Sequence, residues 1–291
     1  MPNLLRSVLA ATVFTLITPA FGWVDVGHMV VAEIAWRRLT PKVKAECERL
    51  LAIGGDPRTN TFVTASCWAD DTKTKISGPW HYTNYHFWDD GRIDMNQPKP
   101  DNVVTRISSF SEVLGDHSAQ DLLRADALRY LIHFVGDIHQ PLHATARDSE
   151  EHPLGDRGGN EFLIEPPARF SEMERPPKNL HSLWDFAGGL LNFKLERPLS
   201  AESQHVISRL ADKVTSDWPE AKMPEVGSQN PTQWAKESFE LSKSVVYTTP
   251  DGGVPSEGYL EICEKVSSAR IANAGYRLAA RLNRLLGTSK S

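Results

Sequence analysis

Histidine and aspartate recur at a spacing suited to metal binding in two segments of the chain. His133 and Asp137 lie four positions apart, and His181 and Asp185 repeat that spacing. Residues four positions apart share one face of a helix, so each pair can hold an ion from a single helix. His143 follows the first pair beyond a proline that interrupts the helix, so it can turn toward another ion. Imidazole and carboxylate together favour zinc, although one such pair alone is more often ordinary surface or core.

The start of the chain suggests a further pair of ligands. Residues 1–22 have the layout of a secretory signal peptide, with one basic residue, an apolar run and a small-residue cleavage pattern ending at Gly22. Cleavage there would give Trp23 a free amine, which titrates near pH 8 (about 7.7–8.0) and yields its proton readily to a metal. His28 follows five residues later. The alternative is that Trp23 and His28 are simply buried in the core.

The apolar run of the leader, residues 8–17, is too short for a membrane span, which needs roughly 20 apolar residues. We therefore expect residues 1–22 to direct export and residues 23–291 to form a secreted or periplasmic protein. No later stretch is apolar enough to cross a bilayer, so no membrane anchor is predicted.

Helical periodicity runs through most of residues 23–291 and predicts one mostly helical domain with a small β element. Residues 77–100 are aromatic-rich and irregular, and a short hairpin is the regular element expected there. Residues 148–179 form a loop rich in proline and glycine, with a strand-like piece at 161–165. Candidate ligands lie on both sides of this loop, which favours a single domain. Helices are predicted over 24–39, 41–53, 61–71, 103–114, 119–139, 179–186, 201–218, 231–246 and 257–286.

The overall charge gives little help to a polyanion-binding protein. The chain has 32 basic and 37 acidic side chains, a net charge of −5, and loss of residues 1–22 would remove only Arg6. Proteins that bind nucleic acid by neutralising phosphates are usually basic. Any affinity for phosphate must therefore come from a local source of positive charge.

Three cysteines, Cys47, Cys67 and Cys263, are the whole cysteine content of the chain. An oxidising compartment favours one disulfide and one spare thiol. Cys47 and Cys67 are the preferred pair because they lie on neighbouring predicted helices. The alternative is three buried thiols.

Six segments that could carry chemistry occur in one order along the chain. They are Trp23 with His28, Trp68-Ala69-Asp70, His81-Tyr82-Thr83-Asn84, His133 to His143, Gly158-Gly159-Asn160 and His181 to Asp185. Together they resemble the single-strand-specific zinc nucleases of the S1/P1 family. The zinc-dependent phospholipases C share the fold and the metal plan of that family.

The resemblance implies three Zn²⁺ ions in a cleft of a mostly helical domain. The first ion would be held by Asp70, His81, His133 and Asp137. The second would be held by the amine and carbonyl of Trp23, by His28 and by Asp137, which bridges the pair. The third would be held by His143, His181 and Asp185.

The resemblance also implies roles for four residues that would face the substrate. Lys73 stands where the family often has an arginine that stabilises transition-state charge, so it is expected to contact phosphate beside the catalytic Asp70 and Asp137. Tyr82 stands where an aromatic ring stacks on a base, and Asn84 where a polar residue, often an acid, reads the base edge. Asn160 is expected to hydrogen-bond near the metals.

The implied activity is endonucleolytic hydrolysis of single-stranded DNA and RNA to 5′-phosphorylated products, with 3′-nucleotidase activity. A phospholipase C is the first alternative. Asp185 favours the nuclease, because the phospholipases favour a glutamate there. A secreted, non-catalytic zinc-binding protein is the second alternative, and it predicts coordination closed by protein ligands.

Overall fold

The computed structural model describes residues 23–92 and 98–287 and shows a mostly helical domain with one small sheet. The predicted signal peptide and its cleavage after Gly22 lie outside these residues. Among the helices described, none is both long enough and apolar enough to cross a membrane. The elements are α1 (Asp25–Arg38), α2 (Pro41–Leu51), α3 (Phe62–Ala65), α4 (Trp68–Asp71), β1 (Tyr85–Trp88), α5 (Val103–Gly115), α6 (Asp121–Asp137), β2 (Thr145–Asp148), α7 (Leu180–Asp185), α8 (Ala201–Asp217), α9 (Pro231–Ser244) and α10 (Glu257–Gly287).

The first and last helices form the centre of the core. α1 is buried from Val26 to Ala35, and it packs most extensively against α10. Gly275 of α10 allows this close approach, since a β-carbon there would lie 2.5 Å from a side-chain carbon of Ile34. A helix that is apolar around most of its surface is buried on all sides. The burial of α1 places His28, which lies on this helix, deep inside the protein.

Local sequence signals set the helix ends that lead toward the site. Thr40 caps α2 by accepting a hydrogen bond from the amide of Val43, and Pro41 occupies the first helical turn, as predicted. The helix predicted over 61–71 is instead two short helices, α3 and α4, separated at residues 66 and 67. Ser66 sits at the break, where its hydroxyl bonds to the carbonyl of Val63. Such bonds compete with helical backbone bonding.

The sheet differs from the predicted hairpin. β1 pairs with β2 in parallel, with Tyr85 opposite Thr145 and Trp88 opposite Asp148. Parallel strands need a long crossover, and here it contains α5 and α6. The pairing matters for the site because it places His81, before β1, beside His143, before β2.

The strand-like piece predicted at 161–165 is not a strand. The structure has one antiparallel bridge there, between Leu163 and Asn179. Two proline pairs, at 166–167 and 176–177, lie at the ends of the segments that would pair. Proline has no backbone N–H, so the ladder cannot extend beyond them.

The predicted disulfide between Cys47 and Cys67 is wrong. All three cysteines belong to the described residues and are free and buried. Cys47 packs in the main apolar core, whereas the thiol of Cys67 lies 3.9 Å from the backbone carbonyl of Asp25. Burial raises the pKa of Cys47 to about 12 and that of Cys67 well above its usual value. Both therefore stay as uncharged thiols that serve packing.

Candidate metal centre

The predicted ligands converge from elements that are far apart in the chain. Seven of the eight residues are buried, and the eighth, Asp70, has a side chain that is only 7% exposed. They come from α1 (His28), α4 (Asp70), the turn before β1 (His81), α6 (His133 and Asp137), the turn before β2 (His143) and α7 (His181 and Asp185). They form three groups, in each of which one ligand atom per residue lies within 4.8 Å of the others: His28 with His133 and Asp137, Asp70 with His81 and His133, and His143 with His181 and Asp185.

Asp137 lies at the centre of the first two groups. One of its carboxylate oxygens is 3.0 Å from Nδ1 of His81 and 3.1 Å from Nε2 of His133. The other is 3.5 Å from Nε2 of His28. The side chain is fully buried. A carboxylate with an oxygen on each side is suited to bridging two cations, the role predicted for Asp137.

Asp70 completes the outer side of the group that it forms with His81 and His133. Its two oxygens lie 3.6 Å from Nδ1 of His81 and 3.7 Å from Nε2 of His133. The ammonium of Lys73 is 2.7 Å from the same oxygen that faces His81. Lys73 thus lies at the edge of the metal-ligand cluster, as its predicted phosphate contact requires.

In the third group the three ligands lie close together, and a hydrogen bond from a neighbouring residue orients one of them. Nε2 of His181 is 3.7 Å from one oxygen of Asp185, and the rings of His143 and His181 are 5.1 Å apart. The amide of Gln140 donates to the other oxygen of Asp185 at 2.7 Å. Gln140 therefore leaves one oxygen of Asp185 free to face an ion.

Backbone carbonyls orient three of the imidazoles. Nδ1 of His133 donates to the carbonyl of Ser66 at 2.5 Å, and Nδ1 of His143 to that of His81 at 2.8 Å. Nδ1 of His181 donates to Gly158 at 2.7 Å. A hydrogen bond at one ring nitrogen fixes the tautomer and presents the other nitrogen to a metal. In all three rings Nε2 is the nitrogen presented.

Trp23 and the residue after it contact both α6 and α7, the two helices that carry His/Asp ligand pairs. Its side chain is fully buried, and its indole N–H donates to the carbonyl of Gly136 at 3.1 Å. The next amide, of Val24, donates to the carbonyl of Asp185 at 3.2 Å. The backbone at Trp23 is therefore anchored beside both α6 and α7. Its service as an amine ligand stays a prediction.

The distances among the buried ligand atoms fit a tetrahedral cation. Two ligands about 2.0–2.2 Å from one zinc ion are about 3.4 Å from each other. The separations around Asp137, Asp70 and the third group run from 3.0 to 3.7 Å. Within the described residues, neither ring nitrogen of His28 has a hydrogen-bond partner, and nor does one oxygen of Asp137. Such buried unpaired atoms cost about 1–3 kcal/mol each, which coordination would offset.

Sequence comparison relates the chain to a family of nucleases. A sequence model of the S1/P1 nuclease family matches residues 23–287. The chain belongs to the S1/P1 nuclease family. Among curated relatives it is 27% identical to Endonuclease 3 of Arabidopsis thaliana, over 98% of this chain and 95% of the relative. It is 25% identical to Nuclease S1 of Aspergillus oryzae, over 97% and 98%, and 24% identical to Nuclease P1 of Penicillium citrinum, over 91% and 98%.

The electrostatics of this S1/P1-type centre keep most ligand atoms ready for a metal. Burial, aided by His133, lowers the pKa of His28 to about 3. Burial alone would also lower the pKa of His133, but Asp137 and Asp70 outweigh it and raise that pKa to about 9. Burial raises the pKa of Asp185 well above its usual value, and the charges of Asp137 and Asp70 add to the effect. Before metal binds, His133 is therefore protonated at neutral pH, and the environment of Asp185 disfavours its charged form.

Metal binding should therefore release protons. At pH 7 we expect about one proton from His133 for each protein loaded with zinc. The His133 share falls as pH rises through about 9, because that imidazole is then already neutral. Zinc affinity should rise between pH 7 and 9 for the same reason. A pH indicator in weakly buffered solution would measure the release, and zinc uptake with no change in proton count would contradict this charge state.

A glycine next to Asp137 provides a local test of the ligand group that contains His28. A β-carbon added at Gly136 would lie 2.7 Å from Nδ1 of His28. Gly136→Ala should raise helix propensity by about 0.5–1 kcal/mol yet displace the His28 ring and weaken metal binding there. Gly258→Ala on α10 is the control, since a β-carbon there meets nothing within 4 Å. Zinc content at equal free zinc would compare the two, and equal content would argue against His28 as a ligand.

The predicted substrate residues gather beside the third ligand group. Tyr82, Asn84 and Asn160 line a cavity of about 80 Å³, here called the metal-side pocket, together with His143 and His181. Asn160 also donates from its amide to the carbonyl at position 157 at 2.8 Å. The structure thus brings these three residues together, while Lys73 lies at the Asp70 side of the cluster.

Arg157 is a residue of this pocket that the sequence interpretation missed. It lines the metal-side pocket, its side chain is 53% exposed, and Glu161 is its nearest carboxylate at 3.8 Å. Its φ of 59° is unusual for a residue with a side chain. Such conformations persist where the surrounding structure enforces them, often at functional sites. The available signal was an arginine inside a glycine-rich loop that also carries Asn160.

Proposed function

We propose that this protein is an exported zinc-dependent endonuclease that hydrolyses phosphodiester bonds of single-stranded DNA and RNA. Its products would carry 5′-phosphates, and it would also release phosphate from 3′-nucleotides. The form proposed to act begins at Trp23, after removal of the signal peptide, and works outside the cytoplasm. Membership of a nuclease family and the convergence of three buried His/Asp groups together support the proposal.

The convergence of the three groups is the observation that carries the proposal. Two groups share His133, and Asp137 contacts both, so two of the ions would be close neighbours. Bound zinc supplies Lewis acidity toward phosphate oxygens and lowers the pKa of a bound water to near 7. Asp137 would help to hold both ions of that pair, and Asp70, which pairs with Lys73, would help to hold one of them. The substrate phosphate would lie between this pair and the third group.

Local charge explains how an acidic protein would hold a polyanion. Three divalent ions against Asp70, Asp137 and Asp185 leave about three positive charges in the cleft, and metal ions are often the largest local charges in a site. Lys73 and Arg157 add two cations at its edges. The attraction is therefore confined to the place of reaction. The net charge of −5 over the whole chain opposes broad, non-specific contact with duplex DNA.

Preference for single strands would follow from the metal-side pocket. Tyr82 offers a ring on which a base can stack, and Asn84 an amide that can bond to a base edge. Stacking of this kind is worth about 1–3 kcal/mol per base and tolerates any base. A base can reach Tyr82 only after leaving its own stack, and an unpaired strand meets that condition at least cost.

Digestion assays on protein beginning at Trp23 test the proposal. Single-stranded DNA, duplex DNA, RNA, a 3′-mononucleotide and phosphatidylcholine vesicles would be compared with zinc, with a chelator, and with zinc restored. We expect zinc-dependent cleavage of the single strands and the RNA, with 5′-phosphate ends. His181→Ala should lose this activity, whereas His205→Ala should keep it, because His205 is exposed on α8.

The assay also distinguishes the proposed nuclease from the alternative functions. Turnover of the vesicles alone would replace the proposal with a phospholipase C. Full zinc loading with no turnover of any substrate would indicate a non-catalytic zinc-binding protein. Duplex cleavage as fast as single-strand cleavage would overturn the role given to Tyr82.

A further inference from the structure

The metal-side pocket is too small to hold a whole nucleotide. Its volume is about 80 Å³, whereas sites for small ligands usually enclose about 300–1,000 Å³. A second cavity of about 330 Å³ lies next to it, and Tyr82 and Asn84 line both. The segment that carries these two residues is therefore a partition between the cavities. A nucleic-acid chain held at the metals has space to continue on the far side.

The partition is fixed to the metal centre rather than free to move. The amide of Thr83 donates to the carbonyl of His143 at 2.8 Å, and Nδ1 of His143 donates to the carbonyl of His81. On the other side, the amide of Val103 at the start of α5 donates to the carbonyl of Tyr82 at 3.2 Å. The two cavities therefore keep a constant spacing, as consecutive units of one polymer require.

Among the described residues that line the second cavity, Lys99 is the one lysine or arginine. His86 bonds to Asp148 at 2.8 Å, and Asp101 is paired with Arg106 at 2.6 Å. The guanidinium of Arg106 therefore offsets the charge of Asp101, the carboxylate that lines this cavity. Lys99 is exposed and, within the described residues, has no carboxylate partner. An ammonium in this situation is a suitable contact for a phosphate.

The same cavity has an apolar wall. Leu154 is 79% exposed, and Pro79 lies on the same lining. Single exposed apolar residues are common and mean little alone. Here Leu154 lines a cavity that Lys99 also lines, and a nucleotide, with its planar base and charged phosphate, would contact this combination.

We propose that this second cavity, the Lys99 pocket, binds the nucleotide next to the one whose base occupies the metal-side pocket. Lys99 contacts its phosphate, and Leu154 and Pro79 contact its base. The inference rests on the proposed nuclease function and extends it from one nucleotide to two consecutive ones. This neighbouring nucleotide lies on the side away from the bond that is cut. A dinucleotide has its second nucleotide across that bond, so it leaves the Lys99 pocket empty and would be a poorer substrate than a single-stranded polymer.

Short substrates of defined length test the Lys99 pocket in the zinc-loaded protein. The substrates are a dinucleotide and two trinucleotides, which extend it on the 5′ side or on the 3′ side. We expect Lys99→Ala to lower kcat/KM about tenfold, mainly through KM, for one of the two trinucleotides. The dinucleotide rate should stay within about twofold of wild type. Leu154→Ser should reproduce the pattern, and Lys213→Ala, on α8 away from the ligands, should change nothing.

Salt dependence gives an independent readout for the phosphate contact. One lost contact to a single strand should reduce the slope of log affinity against log salt by about 0.7. Lys99→Arg keeps the charge and should restore both slope and KM. An equal loss on the dinucleotide and both trinucleotides would assign Lys99 to general stability and overturn the proposal, and so would unchanged rates on every substrate. Absence of wild-type cleavage of all three substrates would instead refute the proposed nuclease function.

Discussion

Asp137→Asn should remove about two of the three zinc ions and lower the nuclease rate about 10³-fold, a loss of roughly 4 kcal/mol of transition-state stabilisation. The change is nearly isosteric but removes the charge that lies among the imidazoles of His28, His81 and His133. The third ligand group does not include Asp137, so one ion should be retained. Metal analysis of the purified variant, beside its rate on single-stranded DNA, measures both effects.

Asp126→Asn is the matched control for this change. Asp126 lies on the same helix, α6, and its partly exposed carboxylate pairs at 3.2 Å with the buried Arg129. Arg129 keeps its bonds to the carbonyls of Leu51 and Ile53 in this variant, so zinc content and rate should stay unchanged. Three ions bound to Asp137→Asn would contradict the bridging role. Loss of all three would show that the third group depends on the first two.

Local sequence patterns predicted the elements that carry the ligands well. The cap at Thr40 and the proline after it start α2, and the His133/Asp137 spacing places both side chains on one face of α6. These features depend on neighbours within about one helical turn, where sequence spacing translates directly into geometry. The resemblance to zinc nucleases then joined segments that spacing alone left separate. The structure brings all eight predicted side chains together.

What could not be predicted depends on contacts between distant segments. The parallel pairing of β1 with β2 joins Tyr85 to Thr145, and alternation within 77–100 could not indicate such a partner. Arg157 follows Asp156, whose carboxylate accepts a hydrogen bond from the distant Tyr247 at 2.8 Å. The disulfide prediction failed because compartment and helix order say nothing about which way a thiol points. In each case the deciding neighbour lies far away in the sequence.

Adding one alanine before Trp23 should lower zinc content and reduce the rate about 100-fold, because the amine would become an amide that binds metal poorly. The structure gives a steric reason to expect the same result. Trp23 is fully buried, its indole is bonded to Gly136, and the next amide is bonded to Asp185. An added residue would therefore be joined to a backbone that is anchored beside both α6 and α7. Zinc titration of proteins with and without the alanine measures the effect.

Trp23→Phe separates the amine from the side chain that positions it. This variant keeps a free amine but loses the indole bond to Gly136, so it should cost on the order of 1–3 kcal/mol of stability and retain its zinc. If the phenylalanine variant keeps zinc and the extended protein does not, the amine itself is the ligand. If both lose zinc equally, packing of the tryptophan positions His28 and Asp137, and the amine has no separate part. Equal zinc content and rate in the extended and unextended proteins would show that the mature end of the chain is not a ligand. Export would then be unnecessary for forming the metal centre, since processing would create no group that the metals need.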